Sequence, residues 1–242
     1  MLLYGKTAIV SGASAGLGLA VSEALIQKGA RVFGFARRTI RLREAEDRFT
    51  DRFVGIACDV SDPDSVARAL EQVRIGSDRI DVLVNNAACG RFGDVEGLSR
   101  EDWEIQMRTN LRGVFLLTRE VIPVLRRQNE RTGFGGHIVN ISSVAGLVGK
   151  PEATAYNATK FGLRGFSEAL MKEVRNDGIK VTCLYPGTLE TEFFEASGSR
   201  RTSPALAPEM VASTVIHVLD SKDNYLVSEV AMWALRDAEP ST

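Results

Sequence analysis

The stretch Lys6-Thr7-Ala8-Ile9-Val10-Ser11-Gly12-Ala13-Ser14-Ala15-Gly16-Leu17-Gly18 joins a short apolar run to a turn carrying three glycines. An apolar run of that length reads as a buried strand. Beyond it, Leu17, Ala20, Val21, Ala24 and Leu25 recur at helical spacing, and Gly29 stands where a helix C-terminus is capped. Arg31-Val32-Phe33-Gly34-Phe35 reads as a second strand. Strand, glycine turn, helix and strand in that order form the context for a dinucleotide site. Glycines let the backbone approach a pyrophosphate, and the helix N-terminus offers unpaired N–H groups. The common G-x-G-x-x-G spacing is absent, because Gly12 and Gly16 are four apart and Gly18 follows two later. The competing reading is a tight turn that binds nothing.

The residues after the second strand bear on the cofactor. NAD sites of this kind place an acid on the ribose 2′-hydroxyl about 20 residues beyond the glycines. Here no acid occurs between Glu23 and Glu44, and Ala36 is followed by Arg37 and Arg38. A guanidinium grips a 2′-phosphate in a bidentate fork. NADP(H) is therefore expected in preference to NAD(H). Otherwise Arg37, Arg38, Arg41 and Arg43 form a solvated helix face.

Far downstream, Tyr156-Asn157-Ala158-Thr159-Lys160 follows Val139-Asn140-Ile141-Ser142-Ser143. A Tyr and a Lys four apart share one helix face. A phenol ordinarily ionises near pH 10. A cation at about 4 Å is worth roughly 4 kcal/mol at an effective dielectric of 20, or about three pH units. Such a pair suits general acid/base work at neutral pH. An incidental pair on an amphipathic helix is the plain alternative.

Taken together, these segments resemble the short-chain dehydrogenases/reductases over nearly the whole chain. The resemblance implies a single α/β domain over residues 1–242, a Rossmann-like doubly wound parallel sheet with helices on both faces. It implies a tetrad of Asn110, Ser143, Tyr156 and Lys160. Its cofactor set is Gly12, Ser14, Gly16, Leu17 and Gly18 in the turn, with Ser11 in place of the usual Thr. Arg37 and Arg38 follow, then Asp59 and Val60 at the adenine, and Asn86 and Ala87 after Asp81-Val82-Leu83-Val84-Asn85. Tyr156 and Lys160 lie at the nicotinamide ribose, with Pro186, Gly187, Thr188 and Thr191 over the nicotinamide. The family also implies a water held by Asn110 and an oligomer, dimer or tetramer, built on the helices around Asn110 and Tyr156. Two departures stand out. Ala88 replaces a usual Gly, where a methyl narrows the ribose space or demands a different turn. An Asp-Gly-Gly ending common among fatty-acid-synthesis reductases is missing.

The rest of the chain sets bounds. With 242 residues, 44% hydrophobic and 25% charged, it has ordinary globular composition, and strands alternating with helices favour one domain. A net charge of −1 gives no case for nucleic acid or an anionic membrane. No apolar run reaches membrane-span length, and the start Met1-Leu2-Leu3-Tyr4-Gly5 does not read as a signal peptide. Cys58, Cys89 and Cys183 have no metal spacing, and a cytoplasmic protein with reduced thiols is expected. His137 and His217 read as structural, so no metal is expected. Ser61 and Ser99 are expected to cap helices. Strand four is expected over 80–84, a helix from 99 to about 128 kinked at Pro123, and a last strand over 225–233. The irregular stretch 189–208 reads as a substrate loop. Phe193 and Phe194 suit an apolar pocket there, and Arg200 and Arg201 either an anionic substrate or a solvated tip.

The function expected is NADP(H)-dependent interconversion of a carbonyl and an alcohol on a small molecule. Tyr156 is the proton donor, Ser143 steadies the carbonyl oxygen, and Lys160 lowers the tyrosine pKa. The alternatives are a 3-oxoacyl-thioester reductase, with Arg126, Arg127, Arg131, Lys172 and Arg175 meeting an acidic carrier protein, and a non-catalytic dinucleotide sensor or scaffold.

Overall fold

The central strands are buried along their whole length, and their side chains, pointing in turn to either face of the sheet, divide the core in two. The computed structural model describes residues 1–198 and 205–235. Seven strands run β1 (Thr7–Ser11), β2 (Arg31–Ala36), β3 (Phe53–Ala57), β4 (Val82–Asn85), β5 (Gly136–Ile141), β6 (Ile179–Pro186) and β7 (Glu229–Met232). They form one sheet in the order β3-β2-β1-β4-β5-β6-β7, and every pairing is parallel. Successive side chains on a strand face opposite sides. Ala8, Val10, Val82 and Val84 therefore enter one core, against α1 (Gly16–Gln27), α2 (Thr39–Phe49) and α8 (Pro208–Leu219). Ile9, Leu83 and Ile138 enter the other, against α3 (Pro63–Gly76), α5 (Gly113–Thr132) and α6 (Thr154–Val174). Burial on both faces is what a parallel sheet requires. The strand order reverses between β1 and β4, and in such sheets the crevice at the carboxyl ends of those strands is where ligands bind.

Several boundaries differ from the sequence reading. Strand four begins two residues later than expected, and the last strand is confined to Glu229–Met232. The cap of α3 is Asp62, whose Oδ1 accepts from Asp64 N–H at 3.1 Å with Pro63 in the first turn. Ser61 instead turns back to Asp59. Ser99 caps α4 (Arg100–Met107) as expected, accepting from Asp102 N–H at 3.0 Å. The long helix is interrupted by a π-helical turn at Arg108–Arg112, while Pro123 lies inside the continuous α5. Asn110 sits within the wide turn, and such turns recur at functional sites.

Candidate active site

The glycine turn is closed from below by β4. Ser11 Oγ accepts from the backbone N–H groups of Asn86 and Ala87 at 2.9 and 3.0 Å, and Asn86 Nδ2 donates to the Ser11 carbonyl at 2.9 Å. Ser at this position thus supplies the hydroxyl that ties the turn to the strand beside it. Gly12 and Gly16 have φ of 69° and 52°, a region that side-chain-bearing residues rarely adopt. A Cβ on Gly18 would lie 2.2 Å from the Gly12 carbonyl oxygen. Among the described residues no side chain caps the start of α1, and no acid lies in its first turn. Its free N–H groups form a cradle for an anion, with Ser14 and Leu17 buried behind it. These residues fit a dinucleotide pyrophosphate.

Around this cradle, Arg37 and Arg38 are exposed at the end of β2. Arg38 Nε donates to Ser14 Oγ at 3.3 Å, which aims that guanidinium at the turn. Arg37 acts on Asp59. Burial raises the Asp59 pKa, but the Ser61 hydroxyl and N–H, with the charge of Arg37, hold it below its ordinary range. Val60 is buried and packs on Gly113, where a Cβ would meet its methyl at 2.8 Å. Ala88 is not among the described non-glycine residues with positive φ, so its methyl brings no left-handed strain.

The other side of the crevice, with Ser143, Tyr156 and Lys160, is built by β5 and α6. The Ser143 hydroxyl accepts from Ala145 N–H at 3.1 Å and acts on the Tyr156 phenol, favouring its ionised form. Asn157 Nδ2 pins the intervening segment to α6 by donating to the carbonyls of Ala145 and Val148 at 2.6 and 2.9 Å. Ser142 Oγ donates to the Lys160 carbonyl at 3.1 Å, a supporting role. Lys160 is 2% exposed, and its Nζ lies 5.6 Å from the Tyr156 ring centroid and donates to the Ile141 carbonyl at 2.9 Å. Burial lowers its pKa to about 8. The expected depression of the tyrosine is not found. Burial pushes the Tyr156 phenol above its ordinary range, the Ser143 hydroxyl opposes this, and the ammonium is committed to Ile141.

Asn110 is buried; its Oδ1 accepts from Cys89 N–H at 2.8 Å, and its Nδ2 donates to Cys89 O at 2.8 Å and Thr159 Oγ1 at 3.2 Å. It thereby binds the segment after β4 to the Tyr156 helix. Cys89 is half-buried, and burial raises its thiol pKa, so nothing activates it. At the end of β6, Gly187 N–H donates to Met232 O at 2.8 Å, and Thr188 O accepts from Leu206 N–H at 2.8 Å. Pro186 closes the strand.

The loop beyond folds back over the crevice. A Cβ on Gly16 would meet Thr191 Cγ2 at 3.0 Å. The ring of Phe193, which opens α7 (Phe193–Ala196), lies 5.7 Å from that of Tyr156 and from that of Phe194. Phe92 completes the wall, 5.6 Å from Tyr156 and 6.4 Å from Phe193. The sequence reading missed Phe92 and Glu192. A signal for Phe92 lay in its position just past the carboxyl end of β4, where side chains reach the crevice. Arg200 and Arg201 lie outside the described residues. Among the described residues no group of side chains is arranged to hold a metal ion, and no helix is long and apolar enough to cross a membrane.

This fold and crevice define a class, and sequence comparison agrees. The chain matches the short chain dehydrogenase family over residues 6–202 and belongs to it. The 3-oxoacyl-(acyl-carrier-protein) reductase FabG of Vibrio cholerae serotype O1 is 31% identical over 238 residues, 95% of this chain and 96% of the relative. A serine dehydrogenase solved with NADP+ superposes with a TM-score of 0.87 at 28% identity, covering 98% of each chain. A 3-ketoacyl-(acyl-carrier-protein) reductase from Brucella melitensis, solved with NADH, has a TM-score of 0.88 at 24% identity, covering 95% of this chain and 97% of that one, a likeness of fold.

Proposed function

We propose that this chain is an NADP(H)-dependent oxidoreductase that interconverts a ketone or aldehyde with its alcohol. The observation that carries the reading is the buried Lys160 ammonium 5.6 Å from the Tyr156 ring, one helical turn on, with the Ser143 hydroxyl acting on the same phenol. The glycine turn and the start of α1 hold the pyrophosphate, Arg38 and Arg37 the 2′-phosphate, and Asp59 and Val60 the adenine side. When bound, the dinucleotide supplies or accepts the hydride. Tyr156 Oη gives its proton to the carbonyl oxygen in reduction and takes it back in oxidation. Ser143 Oγ donates a hydrogen bond to that oxygen as charge builds on it. Lys160 orients the ribose and favours the tyrosinate once its ammonium is turned from Ile141. Asn110 positions the helix that carries both. Phe92 and Phe193 exclude water and favour an apolar group beside the carbonyl.

The FabG relationship supports a narrower reading, reduction of a 3-oxoacyl thioester. Of the cations suggested for a carrier protein, Arg126 is paired with Asp177 and Lys172 with Glu168, which leaves Arg127, Arg131 and Arg175 to make that contact. Phe115 and Phe161, exposed on α5 and α6, support a homodimer or homotetramer.

The test is an NADPH-oxidation screen over diketones, steroids, sugars and acyl thioesters, with NADH in parallel. Tyr156→Phe is expected to lose about 10²- to 10⁴-fold in turnover while NADPH still binds. Full turnover in that variant refutes the assignment, and equal use of NADH refutes the cofactor preference.

A further inference from the structure

Three consecutive residues after β6 touch three separate parts of the crevice. Thr191 covers Gly16 of the pyrophosphate turn, and Phe193 covers Tyr156. Between them, Glu192 reaches the arginines after β2. Its Oε2 accepts from Arg38 Nη1 at 2.9 Å and its Oε1 from Arg41 Nη2 at 3.2 Å. The carboxylate thus spans two guanidinium groups, and Arg38 also bonds Ser14 of the turn. All three charged side chains are close to half-exposed, so the cluster is open to exchange with a ligand.

We propose that Glu192 is an internal rival of the cofactor's 2′-phosphate, occupying Arg38 and Arg41 until NADP(H) displaces it and thereby unfastens the Thr191–Phe193 segment, whereas NAD(H) leaves it fastened. This rests on the reading of Arg38 as part of the 2′-phosphate site, with Arg41 beside it on the same carboxylate. A phosphomonoester carries more charge than a carboxylate and offers three acceptor oxygens to the guanidinium forks. It therefore wins the exchange, but its net affinity is reduced by whatever holds Glu192 in place. The same displacement moves the neighbour of Phe193, so occupancy of the ribose pocket is communicated to the aromatic wall over Tyr156. Glu192 is then a specificity-determining residue that restrains NADP(H) binding and couples it to access for the substrate.

The experiment is fluorescence titration of NADPH and NADH, and calorimetric titration of adenosine 2′,5′-bisphosphate and AMP, on the full chain, wild type, Glu192→Gln and Arg38→Ala. Exposed ion pairs are each worth about 1.5- to fivefold in an equilibrium constant. Glu192→Gln is therefore expected to tighten NADPH and the bisphosphate by about three- to tenfold, with NADH and AMP moving less than about twofold. No change, a weaker NADPH affinity, or equal changes for both dinucleotides would overturn the proposal. Arg38→Ala separates the two levels. If the NADPH-to-NADH preference survives it, the 2′-phosphate reading fails and the rivalry fails with it. If the preference collapses in Arg38→Ala but Glu192→Gln does nothing selective, the rivalry alone is refuted.

Discussion

Replacing Lys160 with Met should make the folded protein more stable while abolishing its chemistry. The Lys160 ammonium is 2% exposed, and no carboxylate pairs with it among the described residues; its partner is the Ile141 carbonyl. Burial lowers its pKa from the ordinary 10.5 to about 8. Because the folded value lies below the unfolded one, the unfolded chain binds the proton more tightly. The penalty is absent above about pH 10.5, sets in as pH falls toward 8, and is complete below that. At about 1.4 kcal/mol per pH unit, it amounts to about 3 kcal/mol at pH 7 and about 1.4 kcal/mol at pH 9.5. Met fills a similar volume without charge, and loss of the Ile141 bond returns about 1 kcal/mol. A net gain of about 2 kcal/mol is expected at pH 7. Urea denaturation of both proteins at pH 7 and 9.5 is the assay, because constant packing terms cancel between the two conditions. The variant's advantage should shrink by about 2 kcal/mol on going to pH 9.5. An advantage that does not change with pH would refute the buried-ammonium argument.

Other outcomes follow from the same structure. Thr182 Oγ1 donates to Val227 O at 2.6 Å, so His137 Nε2 must donate to it at 2.7 Å, leaving the buried Nδ1 without a partner among the described residues. Burial, then the charge of Lys180, lowers the His137 pKa from 6.5 to about 3. The stability this confers is intact above pH 6.5 and lost as pH falls toward 3. His137→Leu should therefore remove about 2 kcal/mol of the wild-type stability loss between pH 7 and 5, read by denaturant melts. Gly18→Ala drives a methyl to 2.2 Å from a carbonyl oxygen and should destabilise by about 2 kcal/mol and weaken NADPH binding. Gly149→Ala, with nothing within 4 Å, should do neither. Phe115→Glu with Phe161→Glu should yield a smaller species in sedimentation if α5 and α6 form a subunit interface.

The sheet and its glycine turn were legible because they obey local rules. Short continuous apolar runs, a helical repeat from Leu17 to Leu25 and a left-handed Gly29 leave a direct trace in sequence. The pairing of Tyr156 with Lys160 on one face of α6 was legible from spacing, since one helical turn separates them, whereas Ser143 was singled out only by the family resemblance. What escaped was set by contacts between distant segments. The tyrosine pKa depends on how α6 is walled in by Phe92 and Phe193, and on a Lys160 bond to β5 that no spacing reveals. Ser61 and Asp62 compete for one cap, and Asp59 decides the outcome by holding the Ser61 hydroxyl. The π-helical turn at Asn110 likewise reflects bonds to Cys89 and Thr159 rather than the proline downstream.

The buried amide ladder beneath the crevice bears on how this scaffold can be altered. Asn85 Nδ2 donates to Asn140 Oδ1 at 2.8 Å, and Asn140 Nδ2 donates to Ser167 Oγ at 2.8 Å, bolting β4, β5 and α6 into one unit. None of these groups belongs to the loop after β6. Libraries that vary that loop while keeping Phe193, which packs on the Tyr156 ring, can therefore leave the alignment of phenol and hydroxyl in place, whereas a conservative change at Asn140 would disturb it for every substrate at once.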